Sequence, residues 1–497
     1  MRTVSTVARR WFGPVAGGYL VIFGSVALAA DPQAGELGQA AASAEMQVAT
    51  EGITHEEYLQ RQEALTAWLT GQMPALGLDE AIGIELTPEE MDTIENALPT
   101  PSEPLKIGVV RAMTPAVQIR GLTRGQLSKQ IRNVFTGVTS PTGDGGLAWA
   151  LSIESTGAGA IRVHIEDLSL PEAAELYFYS PLGEAFGPYT GTGPVGTGDF
   201  WTESVFGTEG TLQLWIPGPA SPADLRQVSL TVTEVGLISS RFTEAIRDDV
   251  TASQNFCGNP KCIVDASCFG GTPAEPAKNA EAKMEWISGP YIYTCSGGLL
   301  ADNNPSQNNY FLTANHCINK NSTAQNVQFY WRFRTSSCNG ACPSNSGWPF
   351  KTTGSTLRKT GRKGDFTLLQ LNSNPPSGSV FLGWTSAPVA FSNGTLLYRI
   401  SNPNFGPQVY SKHHVDTSAP VCSGWPRGER IYSRDDVGGI DGGSSGSPVV
   451  NGSSQVVGQL SGTCGYNPND PCDEVSNATV DGAFAYYYAQ IQPFINP

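Results

Sequence analysis

The chain of 497 residues carries a formal net charge of −15, with only 15% charged residues and as many as 56 glycines and 35 prolines. That length allows about two to four domains, and the composition points to a β-rich, loop-rich protein while excluding a coiled coil or a helical bundle. The acidic balance argues against nucleic-acid binding, which needs a basic footprint. A single apolar run near the N-terminus approaches membrane-spanning length, so a multi-pass membrane protein is excluded.

Residues 1–29 read as a signal peptide. Arg2, Arg9 and Arg10 give a positive start, an apolar stretch follows from Gly17 to Ala30, and Ala27-Leu28-Ala29 is a cleavage site of the small-residue type. The expected destination is the extracellular space, reached by bacterial-type export through the periplasm. Residues 30–100 read as an acidic, helical pro-segment. Thr54-His55-Glu56-Glu57 is a capping box opening an amphipathic run to Leu69, and Thr87-Pro88-Glu89-Glu90 repeats the signal. Its acidic charge and its Ala/Gln-rich start suggest a solvated arm, not a domain.

Residues 101–250 change character. Gly146–Ser155, Ala160–Glu166, Ala174–Tyr179, Thr211–Pro217 and Gln227–Val235 alternate apolar and polar residues between Gly/Pro/Ser turns. Short strands at this spacing predict a β-sandwich, either a pro-domain or an accessory binding domain. A polar linker with Arg247-Asp248-Asp249 ends it.

The two halves of the chain differ chemically. Residues 1–250 have a net charge of −16, and residues 251–497 a net charge of +1. All ten cysteines fall between Cys257 and Cys472, so the second half suits an oxidising compartment and the first needs no cross-links. A zinc site is not expected, because the spacings contain no paired C-x2-C. Asp470, Asp473 and Glu474 read as a solvated acidic loop before a calcium site.

Three segments of the second half carry chemistry. The apolar run Tyr310-Phe311-Leu312-Thr313-Ala314 leads to Asn315-His316-Cys317. In Gly364-Asp365-Phe366-Thr367-Leu368 an aspartate opens a strand. In Gly442-Gly443-Ser444-Ser445-Gly446-Ser447-Pro448 a serine sits among glycines before Val449-Val450. Each has an ordinary reading alone: a strand end, a turn cap, a loop. Together, in the order His316, Asp365, Ser445 with separations of 49 and 80 residues, they form the arrangement of a double-barrel serine protease. A serine hydroxyl needs a base to take its proton, histidine has the pKa range for that, and aspartate holds the imidazole. Gly-x-Ser-Gly selects Ser445, and the N–H groups of Gly443 and Ser445 are placed to face an oxyanion.

The second half resembles the chymotrypsin-like (trypsin superfamily) serine proteases, and among them the secreted bacterial lysyl endopeptidase branch. The similar motifs include Cys295-Ser296-Gly297-Gly298-Leu299, Phe311 to Cys317, Asp365 to Leu371, Gly443 to Pro448 and Val457-Gly458-Gln459-Leu460. They span most of residues 257–490, and the first half resembles the pro-regions of that branch more weakly. The resemblance implies an all-β, two-barrel protease domain over 251–497, preceded by the helical arm and the sandwich. It also implies a Cys295–Cys317 bridge, a Cys268–Cys338 bridge, and a long-range bridge from Cys262 to Cys464 or Cys472. Cys257, Cys342 and Cys422 would take the remaining partners.

The branch also implies cleavage after Lys or Arg. A basic side chain entering the cleft beside Ser461 and Gly462 needs a carboxylate at its base. Asp441 and Asp481 are candidates, and Asp481 is favoured, although a two-residue shift would put Thr479 in its place. Ser461 replaces the histidine usual in the branch after Gly-Gln-Leu. Expected partners are polypeptide substrates and the chain's own pro-region; no nucleic acid, no stable membrane association and a monomer are expected, with no cofactor and no metal. The alternative function is a catalytically idle homologue that works as a secreted binding or adhesion protein.

Overall fold

The computed structural model describes residues 41–72, 81–95, 103–123, 125, 131–133, 137–244, 256–304, 307–343 and 349–497. The signal peptide and Arg247-Asp248-Asp249 lie outside the described residues.

Strands dominate, as the alternating pattern predicts. Between residues 147 and 239 the expected strands are observed as Leu147–Glu154, Ala158–Ser169, Glu175–Tyr179, Glu209–Ile216 and Ser229–Ser239. They form two facing sheets. One runs through Glu175–Tyr179, Glu209–Ile216 and Leu147–Glu154; the other places Ser229–Ser239 between Ala158–Ser169 and Leu105–Arg120. Trp149, Ile161, Phe178, Val232 and Leu237 fill the space between them, all at 1% exposure or less. Packing one apolar face of each sheet against the other is what makes a sandwich.

The strand Leu105–Arg120 was not among the segments singled out in the sequence, although it buries Leu105, Ile107, Val109, Met113, Val117 and Ile119 at every-second-residue spacing on one face. Its outer partner is Tyr291–Leu299 of the cysteine-bearing half, with Leu105 opposite Thr294 and Val109 opposite Tyr291. One sheet therefore runs from the sandwich into the second half of the chain. Gly108 permits the close strand approach, since a Cβ there would lie 2.3 Å from the Leu237 carbonyl oxygen.

The second half contains two β assemblies. In the first, Glu281–Ser288, Tyr291–Leu299, Tyr310–Ala314, Phe366–Leu371 and Ser355–Gly361 pair in that order, and Gln328–Trp331 and Phe350–Thr353 continue from the free edge of Glu281–Ser288. The second is a closed barrel. Leu396–Ser401, Val409–Val415, Arg430–Val437, Asn477–Ala483, Val456–Gly465 and Pro448–Val450 pair in turn, and Pro448–Val450 pairs back onto Leu396–Ser401. Closure removes free edges. The helix Phe484–Ile495 follows and buries Phe484, Tyr487, Ile491 and Ile495.

Both expected capping boxes form: Thr54 and Glu57 at the helix His55–Gln72, Thr87 and Glu90 at the helix Pro88–Glu95. The arm, however, is more than a solvated appendage. Ser43–Ala44 pairs with Trp384–Thr385 and Gln47–Val48 with Val380–Phe381. Tyr58 stacks on Phe350 at 4.5 Å, and Trp68 packs edge-on against Tyr177 and Trp215. The acidic residues stay on the outer face while these aromatics fix the inner one, a division that net charge does not reveal.

Five disulfides join all ten cysteines: Cys257–Cys342, Cys262–Cys472, Cys268–Cys338, Cys295–Cys317 and Cys422–Cys464. Of the two partners left open for Cys262, Cys472 is the one taken.

Candidate active site

His316 and Asp365 meet because of strand register. Tyr310–Ala314 pairs antiparallel with Phe366–Leu371, with Ala314 opposite Phe366, so the residues just beyond that pair come together at one end. His316 Nδ1 donates to Asp365 Oδ2 at 2.9 Å, and the His316 backbone N–H donates to Oδ1 at 3.0 Å. Asp365 is buried and sits at φ +51°, in the left-handed region. Three contacts hold it there. The Asn315 N–H donates to its carbonyl at 3.0 Å, and Gln459 Nε2 donates to the carbonyls of Asp365 and Gly364 at 2.8 and 3.0 Å. Tyr487 in turn donates to Gln459 Oε1 at 2.5 Å.

The serine loop is threaded between the two β assemblies. Ser296 holds it from beneath: its N–H donates to the Ser445 carbonyl at 2.8 Å and its hydroxyl to the Gly443 carbonyl at 3.0 Å. Gly446, at φ +84°, admits no side chain, because a Cβ would lie 2.2 Å from Thr313 Oγ1. The loop is thus pressed onto the end of the strand that carries His316. Ser444 and Ser447 are fully buried, and Ser445 is half-exposed. Among the described residues, the N–H groups of Gly443 (φ +94°) and Ser445 donate to nothing, and His316 Nε2 has no hydrogen-bond partner. An open base–nucleophile contact is common in unliganded sites and tightens when substrate binds.

Ser461 and Gly462 lie on the neighbouring strand, at a register shift between Leu460 and Gly462. That strand is tied to the serine loop: Gly446 N–H donates to Leu460 O at 2.8 Å and Leu460 N–H to Ser447 O at 2.9 Å. Ser461 is fully buried, with its hydroxyl unpaired among the described residues. Asp481 is on the next strand, opposite Leu460, fully buried and ion-paired with the equally buried Arg399. Burial pushes its pKa up to about 6 against the pull of Arg399. Its charge is therefore already met by a cation of the chain itself. Asp441 accepts from Asn404 Nδ2 at 3.0 Å and from the Gly442 N–H at 2.8 Å.

Cys295 and Cys317 lie beside His316 in a grouping that could hold a metal ion if the sulfurs were free, but they are bonded to each other. Asp470 and Asp473 accept from the nearby N–H groups of Cys472 and Ser476, both at 2.9 Å, as turn-forming residues do. On the outer side of His316 is a cleft of about 410 Å³, walled by Trp286, Tyr293, His316 and Lys320 of the second half and by Glu103 and Lys106 of the first.

Two family models match the chain: the lysyl endopeptidase C-terminal domain over residues 258–475 and the lysyl endopeptidase N-terminal domain over residues 86–236. A lysyl endopeptidase of Pseudomonas aeruginosa is 30% identical over 420 residues, which cover 80% of this chain and 83% of the relative. The chain belongs to the lysyl endopeptidase family. It is a serine endopeptidase. A secreted RxLR effector protein of Plasmopara viticola is 27% identical over 229 residues, 41% of this chain and 50% of that protein. Among solved structures, the active form of the Rv3671c protease from M. tuberculosis aligns with 48% of this chain and 92% of its own, at 16% identity and a TM-score of 0.32.

Two supporting residues of this endopeptidase escaped sequence reasoning as functional groups. Gln459 and Ser296 both stood inside quoted motifs, but their roles depend on contacts 94 and 147 residues away in the chain. No local pattern carries such information.

Proposed function

We propose that this endopeptidase is exported with an N-terminal pro-region and cleaves polypeptides after Lys or Arg through an acyl-enzyme on Ser445. Ser445 Oγ attacks the scissile carbonyl as its proton passes to His316 Nε2. Asp365 holds the imidazole by Nδ1 and stabilises the imidazolium. The N–H groups of Gly443 and Ser445 receive the oxyanion. His316 then gives the proton to the leaving amine, and water releases the acyl group by the reverse route. The observation that carries this reading is the unpaired His316 Nε2, whose ring is fixed by Asp365, beside a loop on which only the half-exposed Ser445 of three serines is available.

The pro-region reading is supported by the Leu105–Arg120 strand, which occupies the edge of Tyr291–Leu299, and by Glu103 and Lys106 in the cleft at His316. A segment lying there obstructs an extended substrate. Five disulfides fit an oxidising, extracellular destination. A fluorophosphonate probe should label Ser445 in the mature protein, and mapping of cut sites in a denatured protein mixture should find Lys or Arg before the cleaved bond. Cuts mainly after aromatic, small or acidic residues would refute the preference. Secreted protein that keeps residues 31–256 intact at full activity would refute the pro-region.

A further inference from the structure

We infer that Lys283 and Asn404 are positioning residues for the oxyanion hole, acting on the peptide unit between Gly442 and Gly443. This rests on the reading of Ser445 as the nucleophile and of the Gly443 N–H as an oxyanion donor.

The Gly442 carbonyl and the Gly443 N–H belong to one peptide plane, and in a trans peptide they point in opposite directions. Whatever grips the carbonyl therefore aims the N–H. The grip is the Asn404 backbone N–H, which donates to the Gly442 carbonyl at 2.7 Å. The Asn404 side chain steadies it: Nδ2 donates to Asp441 Oδ2 at 3.0 Å and to Asn259 Oδ1 at 3.2 Å. Gly443 rests on the same turn, since a Cβ there would lie 3.0 Å from the Asn402 carbonyl oxygen and 3.2 Å from the Asn404 nitrogen. Both residues of the unit are glycines, so no side chain of their own resists rotation of the plane.

The turn that supplies Asn404 is itself held in an uncommon conformation. Within Pro403–Phe405, Asn404 at φ +54° and Phe405 at φ +57° are successive non-glycine residues in the left-handed region. Such conformations persist only where the surroundings over-determine them. Lys283 supplies that support. It stands on the strand Glu281–Ser288 opposite Ser296, fully buried, and its Nζ donates to the Phe405 carbonyl at 2.9 Å. The rings of Phe405, Phe333 and Tyr330 surround the amine, with centroids 3.6, 3.8 and 4.8 Å away. Burial pushes its pKa well down, as does the Lys351 charge, while Glu285 and Glu281 pull it up. Burying an amine is costly unless it finds acceptors, and the acceptor found here is the carbonyl next to Asn404. Ser296 joins the turn to the loop a second time: its hydroxyl accepts from the Asn402 N–H at 2.9 Å and donates to the Gly443 carbonyl at 3.0 Å.

The test uses the secreted enzyme produced from the full chain, with two inhibitors built on the peptide it cleaves best. The peptide aldehyde forms a tetrahedral adduct with the serine, and the oxygen of that adduct uses the hole. The matching peptide alcohol forms no adduct. Lys283→Met fills similar space and leaves the Phe405 carbonyl unpaired. It should lower kcat by about 10- to 100-fold with KM little changed, and lower the aldehyde-to-alcohol ratio of affinities by about tenfold or more. A general loosening of the fold weakens both inhibitors alike, so an unmoved ratio in the folded variant overturns the inference and leaves the serine mechanism standing. If Lys283→Met does not fold, Asn404→Gly keeps the left-handed turn and its N–H but removes the side-chain bonds. It should lower the same ratio by about threefold or more, and an unmoved ratio overturns the inference. A wild type whose Ser445 is not labelled by a fluorophosphonate overturns the underlying reading and the inference together.

Discussion

Gln459 Nε2 reaches the backbone carbonyl of Asp365 at 2.8 Å and so anchors an aspartate held at φ +51°. A non-glycine residue in the left-handed region persists only where its surroundings over-determine it. Gln459 comes from the second barrel and Asp365 from the first assembly, so this contact also sets the spacing between His316 and the serine loop.

Gln459→Met should therefore injure catalysis without touching the reacting groups. The carbonyls of Gly364 and Asp365 lose their donor, a destabilisation of about 1–3 kcal/mol. Misplacement of Asp365 should lower kcat by up to about 100-fold, with KM little changed. Urea titration and steady-state kinetics on one preparation measure both. A stably folded variant with wild-type kcat would remove Gln459 from the positioning role.

Ser445→Ala should lower kcat by about a millionfold with the fold intact. Ser444→Ala and Ser447→Ala should keep measurable activity, because both side chains are sealed in the protein; Ser444 Oγ meets Ser401 Oγ at 3.1 Å. Single-turnover assays on the three variants decide it. A dead Ser444→Ala beside an active Ser445→Ala would show the register to be wrong.

The contact between the sandwich and the protease half contains buried charge. Arg162 Nη1 donates to Glu285 Oε1 at 3.1 Å, Ser204 Oγ donates to the same oxygen at 2.7 Å, and Tyr330 bonds the other carboxylate oxygen. Lys351 pairs with Glu184 at 2.6 Å nearby, with all four charged side chains fully buried. Removing one partner strands the other, so Arg162→Met in the full chain should destabilise it by about 3–5 kcal/mol. Adding Glu285→Gln should recover part of that loss. Chemical denaturation in a Ser445→Ala background, which prevents self-cleavage, measures each change.

Glu281 gives a pH dependence of defined sign. Burial pushes its pKa up to about 8, against the Gln408 and Ser296 hydrogen bonds and the Lys283 charge. Below the unfolded carboxylate value of about 4.3 both states hold the proton. Between there and about 8 the unfolded chain gives it up first, so this group's contribution to stability falls as pH rises. Wild type should lose stability relative to Glu281→Gln across that window. Denaturation midpoints from pH 5 to pH 9 test it, and parallel curves would contradict it.

Much of the candidate site was written in local sequence. The Gly443-Ser444-Ser445-Gly446 run, the strand-end His316 and the strand-leading Asp365 each depend on backbone preferences over a few residues, and they could be read in order along the chain. The strands of the sandwich and both capping boxes were legible for the same reason: period-two alternation and side-chain capping are short-range effects. The cysteine count and its confinement to one half fit an oxidising compartment.

What only the tertiary structure decided involves pairs distant in sequence. Leu105–Arg120 alternates like the other sandwich strands, and nothing in that pattern announces that its far edge pairs with Tyr291–Leu299 and so bridges sandwich and protease. Asp481 in Asp-Gly looked like an available carboxylate, yet Arg399, 82 residues away, closes it off. A carboxylate has the same chemistry in every sequence context. Which cation, hydroxyl or cavity it faces is set by strand register across the barrel, and register between distant strands is settled only when the whole sheet closes.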